Sequence, residues 1–355
     1  MRIALIAPLY EAVPPKLYGG TERVVSFLTE ELVALGHDVT LFASGDSVTR
    51  AERHPAWPQA LRLDPLIRDQ LAPNLLLLEA VHRRADEFDV MHFHMDYLPF
   101  SLFSRQPTPF VTTLHGRLDL PELKPMFNAF PRVPLVSISD NQRRPLPDAN
   151  YVGTVYHGLP AGLLTPVSGI KVEYLAFLGR IAPEKGPDAA IRIARACGIP
   201  LKIAAKVDVA DRVYFETVIR PMLAEGGVEM VGEISDARKP AFLAGAVALL
   251  MPIAWPEPFG LVMIEAMACG TPTIAFNRGS VPEIIDDGVT GIIVENEAGA
   301  IAAVSRVARL SRRKVRAVFA DRFTARRMAQ DYVAIYRNVA SRLGSDRPAL
   351  MEAAD

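Results

Sequence analysis

Two glutamates, Glu257 and Glu265, stand in Pro256-Glu257-Pro258-Phe259-Gly260-Leu261-Val262-Met263-Ile264-Glu265. Flanking prolines hold Glu257 in a rigid, extended loop. Gly260 opens a helix expected to run to about Ala268. The first amides of such a helix have no intrahelical partner. With the helix dipole they favour a diphosphate. A carboxylate accepts two hydrogen bonds at once, which suits the paired hydroxyls of a ribose or hexose. Glu257 would approach a ligand from just before the helix, and Glu265 from about two turns along it. Isolated glutamates are mostly surface charges, but the Pro, Phe and Gly around this pair favour the binding role.

A second segment, Phe177-Leu178-Gly179-Arg180-Ile181-Ala182-Pro183-Glu184-Lys185-Gly186, follows a strand pattern. It puts Arg180 and Lys185 in a loop ahead of a helix, with Gly179 giving a tight exit from the strand. Two cations there can offset the charge of a diphosphate leaving group, as electrostatic catalysis of a group transfer requires. On their own they would read as a solvated loop. A third segment, Tyr18-Gly19-Gly20-Thr21-Glu22, has paired glycines before a helix, which permit close backbone approach to a ligand. It is no dinucleotide fingerprint, because G-x-G-x-x-G does not follow the first strand. A fourth, Thr112-Thr113-Leu114-His115-Gly116, ends a strand on a histidine able to bond a sugar hydroxyl or assist proton movement. His92 and His94 share one strand face by alternation. With no third ligand at metal spacing, they are expected to make local hydrogen bonds instead.

Short apolar runs alternate with amphipathic helical patterns along the whole chain, which predicts parallel sheets with helical crossovers. Strands are expected at Arg2 to Ala7, Val39 to Ala43, Val90 to Phe93, Phe110 to Leu114, Leu135 to Ile138 and Thr154 to Tyr156. A helix from about Thr21 to Leu35, closed by Gly36, separates the first two. The pattern restarts at Tyr174 to Leu178 and continues through Leu201 to Ala205, Glu229 to Val231, Val247 to Met251, Thr273 to Phe276 and Ile292 to Val294. The segment Leu159 to Gly169, rich in Pro and Gly, reads as the linker. The fold class expected is α/β: two doubly wound, Rossmann-like domains facing a central cleft. The first covers residues 1–165 and the second 166–326. Ligands bind at the carboxyl ends of strands in sheets of this kind.

Composition bounds the function. With 355 residues, two domains are expected. Lys and Arg number 39 against 40 Asp and Glu, so there is no basic excess to bind nucleic acid. Cys197 and Cys269 stand far apart without partners at ligand spacing, which implies neither disulfide nor zinc. The start of the chain does not read as a signal peptide. The longest weakly polar stretch, Ala241 to Trp255, is broken by Pro252 and falls short of the roughly 20 residues of a membrane span. A cytoplasmic protein without integral membrane association is expected. The basic run Arg306, Arg309, Arg312, Arg313, Lys314 and Arg316 reads as a solvated helix face, although it leaves room for peripheral contact with anionic lipid.

Taken in order, these segments resemble the retaining glycosyltransferases of family 4, which have the GT-B fold. The segment from Glu257 to Glu265 is similar to that family's pair of glutamates separated by seven residues. The resemblance extends over nearly the whole chain. It implies that Arg180 and Lys185 bind the donor pyrophosphate, Glu265 the ribose hydroxyls and Glu257 the donor sugar. It further implies that the amides of Phe259, Gly260 and Leu261 help hold sugar and phosphate. Gly19 and Gly20 would close over the donor or acceptor phosphate side, and His115 would contact the transferred sugar. A final helix, about Arg327 to Leu343, would pack back on the first domain. No metal or other cofactor is implied. The donor would be a nucleotide-diphosphate sugar, with UDP-glucose the commonest choice, and the acceptor an unidentified hydroxyl compound. Two alternatives stay open: a nucleotide-sugar epimerase or hydrolase on the same fold, and a non-catalytic nucleotide-sugar-binding protein.

Overall fold

The computed structural model describes residues 1–16 and 19–351, with side chains as far as residue 341. Tyr18 therefore lies outside the described residues, as do the side chains of the last helix beyond that point. The chain forms two units. One holds residues 1–158 together with the helix that begins at Ala325, and the other holds Leu159–Thr324.

The first unit carries a seven-stranded sheet of β1 (Arg2–Ile6), β2 (Asp38–Ser44), β3 (Glu52–Trp57), β4 (Val90–Phe93), β5 (Phe110–Thr113), β6 (Leu135–Ser137) and β7 (Tyr151–Thr154). Its spatial order is β3-β2-β1-β4-β5-β6-β7, and every recorded pairing is parallel. The central strands are continuous apolar runs because parallel sheets are covered on both faces. β4 and β5 are buried at every position. Ile6, Phe42, Leu77, Phe93 and Phe103 fill one side of this sheet.

Two strands depart from the expected pattern. β3 reads Glu-Arg-His-Pro-Ala-Trp, with no apolar alternation. It lies at the sheet edge, where Pro55 and charged side chains are tolerated and discourage further pairing. β7 begins at Tyr151, three residues before the expected Thr154, and is only half-buried. An edge strand of this kind needs no apolar run, and the buried Val155 follows the strand.

The second unit carries β8 (Tyr174–Arg180), β9 (Leu201–Lys206), β10 (Val228–Met230), β11 (Ala246–Met251), β12 (Thr273–Phe276) and β13 (Gly291–Val294). Their order is β10-β9-β8-β11-β12-β13, again all parallel. Phe177, Ile191, Ile203, Leu250, Ile274 and Val304 belong to its core. β8 extends two residues further than expected, so Gly179 and Arg180 sit in the strand and not in the loop after it. Ladder pairing to Ala205 and Lys206 of β9 carries the strand through them.

The helices that position chemistry are α1 (Gly20–Ala34), α2 (Pro187–Ala196), α3 (Lys239–Ala244), α4 (Leu261–Ala268), α5 (Arg312–Arg322) and α6 (Ala325–Met351). α6 returns the chain to the first unit and sinks Tyr332 and Tyr336 fully into it. There the Tyr336 hydroxyl lies 2.7 Å from His92 Nδ1, and the Tyr332 hydroxyl 3.0 Å from Thr113 Oγ1.

The basic run is not a solvated face throughout. Arg316 donates to the carbonyls of Ala268, Leu164 and Ala161 at 2.6, 3.0 and 2.7 Å. Arg312 donates to those of Ala244 and Ala246. Ala244 and Ala268 close α3 and α4, where the last carbonyls lack intrahelical partners and the dipole attracts cations. Arg313 and Lys314 between them are exposed. Among the described residues no helix is long and apolar enough to cross a membrane.

Candidate functional site

In the second unit, four neighbouring strands, β9, β8, β11 and β12, send their following loops out at the same sheet edge. Arg180 ends β8, and Lys185 lies in the short turn Pro183–Lys185 that leads into α2. Gly186 there has φ 70°, and a Cβ on it would stand 2.2 Å from the Pro252 carbonyl oxygen. Only glycine lets the loop after β8 lie this close to the loop after β11. The Ala254 amide bonds the Glu184 carbonyl at 2.9 Å and ties the two loops together.

This packing joins Lys185 and Glu257. The Lys185 ammonium donates to Glu257 Oε2 at 2.5 Å, and the Trp255 indole N–H donates to the same oxygen at 2.8 Å. Lys185 Nζ also lies 5.0 Å from the centre of the Trp255 ring, within range of a cation–π contact. Arg180 is gripped by two other acids, Asp211 and Glu184, each at 2.6 Å. Phe259 is buried, and its carbonyl accepts from the Ser280 hydroxyl at 2.8 Å. The Ser280 amide bonds the Glu257 carbonyl at 3.0 Å. Gly260 is the N-cap of α4 and Leu261 its first residue, so their amides open that helix as the sequence suggested.

Glu265 pairs with another cation, Lys239. It is 4% exposed, and the Lys239 ammonium donates to it at 2.6 Å. Lys239 also pairs with Asp236 at 3.3 Å. With side chains only 12% and 5% exposed, this is a buried pair. Removing one partner of such a pair takes a close counter-charge from a buried ion. Lys239→Met is therefore expected to destabilise the protein by about 3 kcal/mol. Adding Glu265→Leu should restore most of that loss, as urea midpoints would register. A single variant as stable as the parent would show the pair to be dispensable.

In the first unit the carboxyl ends of β1, β4 and β5 are neighbours. Gly19 is the N-cap of α1, and Gly20 its first residue. A Cβ on Gly19 would lie 3.0 Å from Glu22 Oε2 and 3.2 Å from Glu11 Cγ. Both acids are buried, and Arg62 pairs with Glu11 at 2.8 Å. Burial raises the Glu22 carboxyl above its usual range, and Glu11 raises it further. Acids in this place complement the helix dipole and oppose a phosphate.

His115 follows β5 and is half-buried. Its Nε2 lies 2.8 Å from His94 Nδ1, and its amide donates to Asp96 at 3.3 Å. Asp96 holds a left-handed backbone, φ 49°, which non-glycine residues adopt at a cost and Asp more readily than most. The rings of His92 and His94 lie 4.0 Å apart, and His115 stacks on His157 at 5.4 Å. Burial draws the His115 imidazole down to about 3, and the other three also fall well below their usual value. All four rings are thus neutral near pH 7. His92 makes local hydrogen bonds to Tyr336 and Thr113. Among the described residues no group of three or more His, Cys, Asp or Glu could hold a metal ion.

The ion pairs thus join Lys185 with Glu257, Arg180 with Asp211 and Glu184, and Glu265 with Lys239. Trp255, Lys239, Asp211, Glu184 and His94 were not singled out by sequence as parts of these clusters. Strand order and loop packing bring in Lys239, Asp211 and His94, whereas Glu184 and Trp255 stand four and two residues from their partners.

Residues 167–322 match the family model described as Glycosyl transferases group 1, and residues 18–146 match Glycosyltransferase Family 4. A D-inositol 3-phosphate glycosyltransferase from Saccharomonospora viridis is 31% identical over 196 residues, which cover 46% of this chain and 42% of that protein. The chain spans less than half the length of the first curated relatives it matches. Sucrose-phosphate synthase from Thermosynechococcus elongatus superimposes with a TM-score of 0.81 at 20% identity, over 96% of this chain and 99% of that one. Anabaena HepE, in a crystal structure with UDP and glucose, gives a TM-score of 0.70 at 20% identity, over 97% and 100%. The two parallel-sheet units are those of the GT-B fold. The family matches to glycosyltransferase models, one in each unit, accompany that fold.

Proposed function

We propose that this GT-B-fold chain is a glycosyltransferase that transfers a hexose from a nucleoside-diphosphate sugar, of the UDP-glucose kind, to a hydroxyl acceptor. Anomeric configuration is retained and no metal ion takes part. One observation carries the reading: Lys185, Trp255 and Glu257 form a single bonded group beside the opening amides of α4. The HepE structure with UDP and glucose supports the donor class.

An ammonium has three donors, so Lys185 can bond a diphosphate oxygen while it keeps Glu257. Arg180 supplies a second cation, and Glu184 and Asp211 hold it in place. Glu257 accepts from a sugar hydroxyl, and Glu265 from the ribose. The amides of Phe259, Gly260 and Leu261 face sugar and phosphate. His115 contacts the transferred sugar. The acids at Gly19 and Gly20 disfavour phosphate there, so that turn is assigned to a hydroxyl-bearing part of donor or acceptor. In the reaction, the bond from the anomeric carbon to the diphosphate oxygen breaks. A bond to the acceptor oxygen forms on the same face, and the acceptor proton passes to the departing diphosphate. The two cations stabilise the charge that develops on that group.

UDP release from UDP-glucose is expected to accelerate when a competent hydroxyl acceptor is present, and to be unchanged by EDTA. Proton NMR of the product should give the anomeric coupling of the donor. Equal release with and without every acceptor would favour an epimerase or hydrolase. A loss in EDTA that magnesium restores would overturn the metal-free mechanism.

A further inference from the structure

The contact between His94 and His115 has a direction. At 2.8 Å, His94 Nδ1 and His115 Nε2 share one proton, so one ring donates and the other accepts. His94 is 2% exposed, and its second nitrogen, Nε2, is buried with no hydrogen-bond partner among the described residues. If His115 donated, a neutral His94 would carry its own proton on Nε2. That would leave a bare N–H in the interior, packed beside the His92 ring at 4.0 Å. If His94 donates, Nε2 keeps only an unfilled lone pair. Orphaned buried N–H groups are rarer in folded proteins than unfilled acceptors. A doubly protonated His94 is disfavoured by burial and by His92, His115 and His157 around it.

We propose that His94 is a positioning residue: it donates Nδ1–H to Nε2 of His115 and so fixes His115 as the Nδ1–H tautomer. The bond made by one ring nitrogen decides which form the other presents. His115 then offers a neutral N–H donor and no basic nitrogen to a ligand. It bonds a sugar oxygen and takes no proton, so the acceptor's proton must go elsewhere, as transfer to the departing diphosphate requires. The role toward the sugar rests on the function proposed above. The tautomer does not.

Two measurements test this. In protein labelled with 15N-histidine, two-bond proton–nitrogen correlations report the tautomer of each neutral ring, and His115→Asn assigns the His115 signals. The expected spectrum has the His115 proton on Nδ1, and a proton on Nε2 overturns the proposal. The second measurement is UDP release from UDP-glucose. His94→Asn keeps an amide N–H near the former Nδ1 and should stay within about threefold of the parent, whereas His94→Leu should lose about tenfold to a hundredfold in kcat/KM. His94→Asp can only accept, so it should move the His115 proton to Nε2 and lose activity similarly. Parental activity in His94→Asp together with a moved proton would refute the positioning role. The expected tautomer with no UDP release by the parent would refute the donor assignment alone.

Discussion

Lys185→Ala is expected to lower turnover of the nucleotide sugar by about two to three orders of magnitude in a protein that still folds. The side chain is 22% exposed and its partner Glu257 12%, so the pair lies at the rim of the core. The turn around Lys185 is held by backbone bonds from its own amide to Ala182 and from Gly186 to Pro183. The loss has two parts. One cation that would meet the diphosphate is gone, and Glu257 keeps only the Trp255 indole, so an uncompensated carboxylate faces the incoming anion. Lys185→Ala combined with Glu257→Gln should consequently cost less than the sum of the two single changes, as expected for groups in direct contact. Arg180→Ala should have an effect of similar size, because it leaves both Asp211 and Glu184 unopposed. Arg192→Ala serves as the control. It removes pairs with Glu297 and Asp188 at the surface of the unit, and surface pairs contribute little. Steady-state rates with UDP-glucose, alongside thermal midpoints, decide the matter. Parental turnover in Lys185→Ala would remove the cation from the mechanism.

Gly279→Ala should act on the same group from the other side. Gly279 follows β12 with φ 58°, and a Cβ there would lie 2.3 Å from both the amide nitrogen and the carbonyl oxygen of Glu257. Both are backbone atoms, so no side-chain rotation relieves the overlap. Either the loop after β12 withdraws or Glu257 shifts. Withdrawal would break the bonds from Ser280 to the Glu257 and Phe259 carbonyls. The strained backbone and the overlap together should cost about 2–4 kcal/mol. Activity should fall with the stability, since Glu257 can no longer meet Lys185 in its present geometry. Urea denaturation and the UDP-release rate would report both. A variant with parental stability and turnover would show that Glu257 need not be fixed by this loop.

Legibility in the sequence followed burial. β4, β5, β11 and β12 are apolar runs covered on both faces, and the sequence located each to within a residue. β3 escaped because an edge strand carrying Pro55 has no apolar signature. The cationic and acidic residues of the second unit were visible as residues, since Pro, Gly and charge stand at fixed offsets around them. Their partners distant in sequence were not. Lys239 reaches Glu265 across 26 positions, and Asp211 reaches Arg180 across 31, distances that only the packed sheet closes. Arg312 and Arg316 looked like solvent-facing charges, because nothing local reveals that helix ends lie beneath them. His94 was read on its own strand, whereas its partner His115 arrives from the neighbouring one.

Everything mechanistic depends on the diphosphate meeting the two cations at the end of β8 and in the turn that follows it. A crystal structure with UDP-glucose bound tests this most directly. It should place pyrophosphate oxygens within hydrogen-bond distance of both Arg180 and Lys185, and the sugar beside Glu257. A diphosphate bound elsewhere, with Arg180 still on Asp211 and Glu184 and neither cation touching it, would contradict the mechanism.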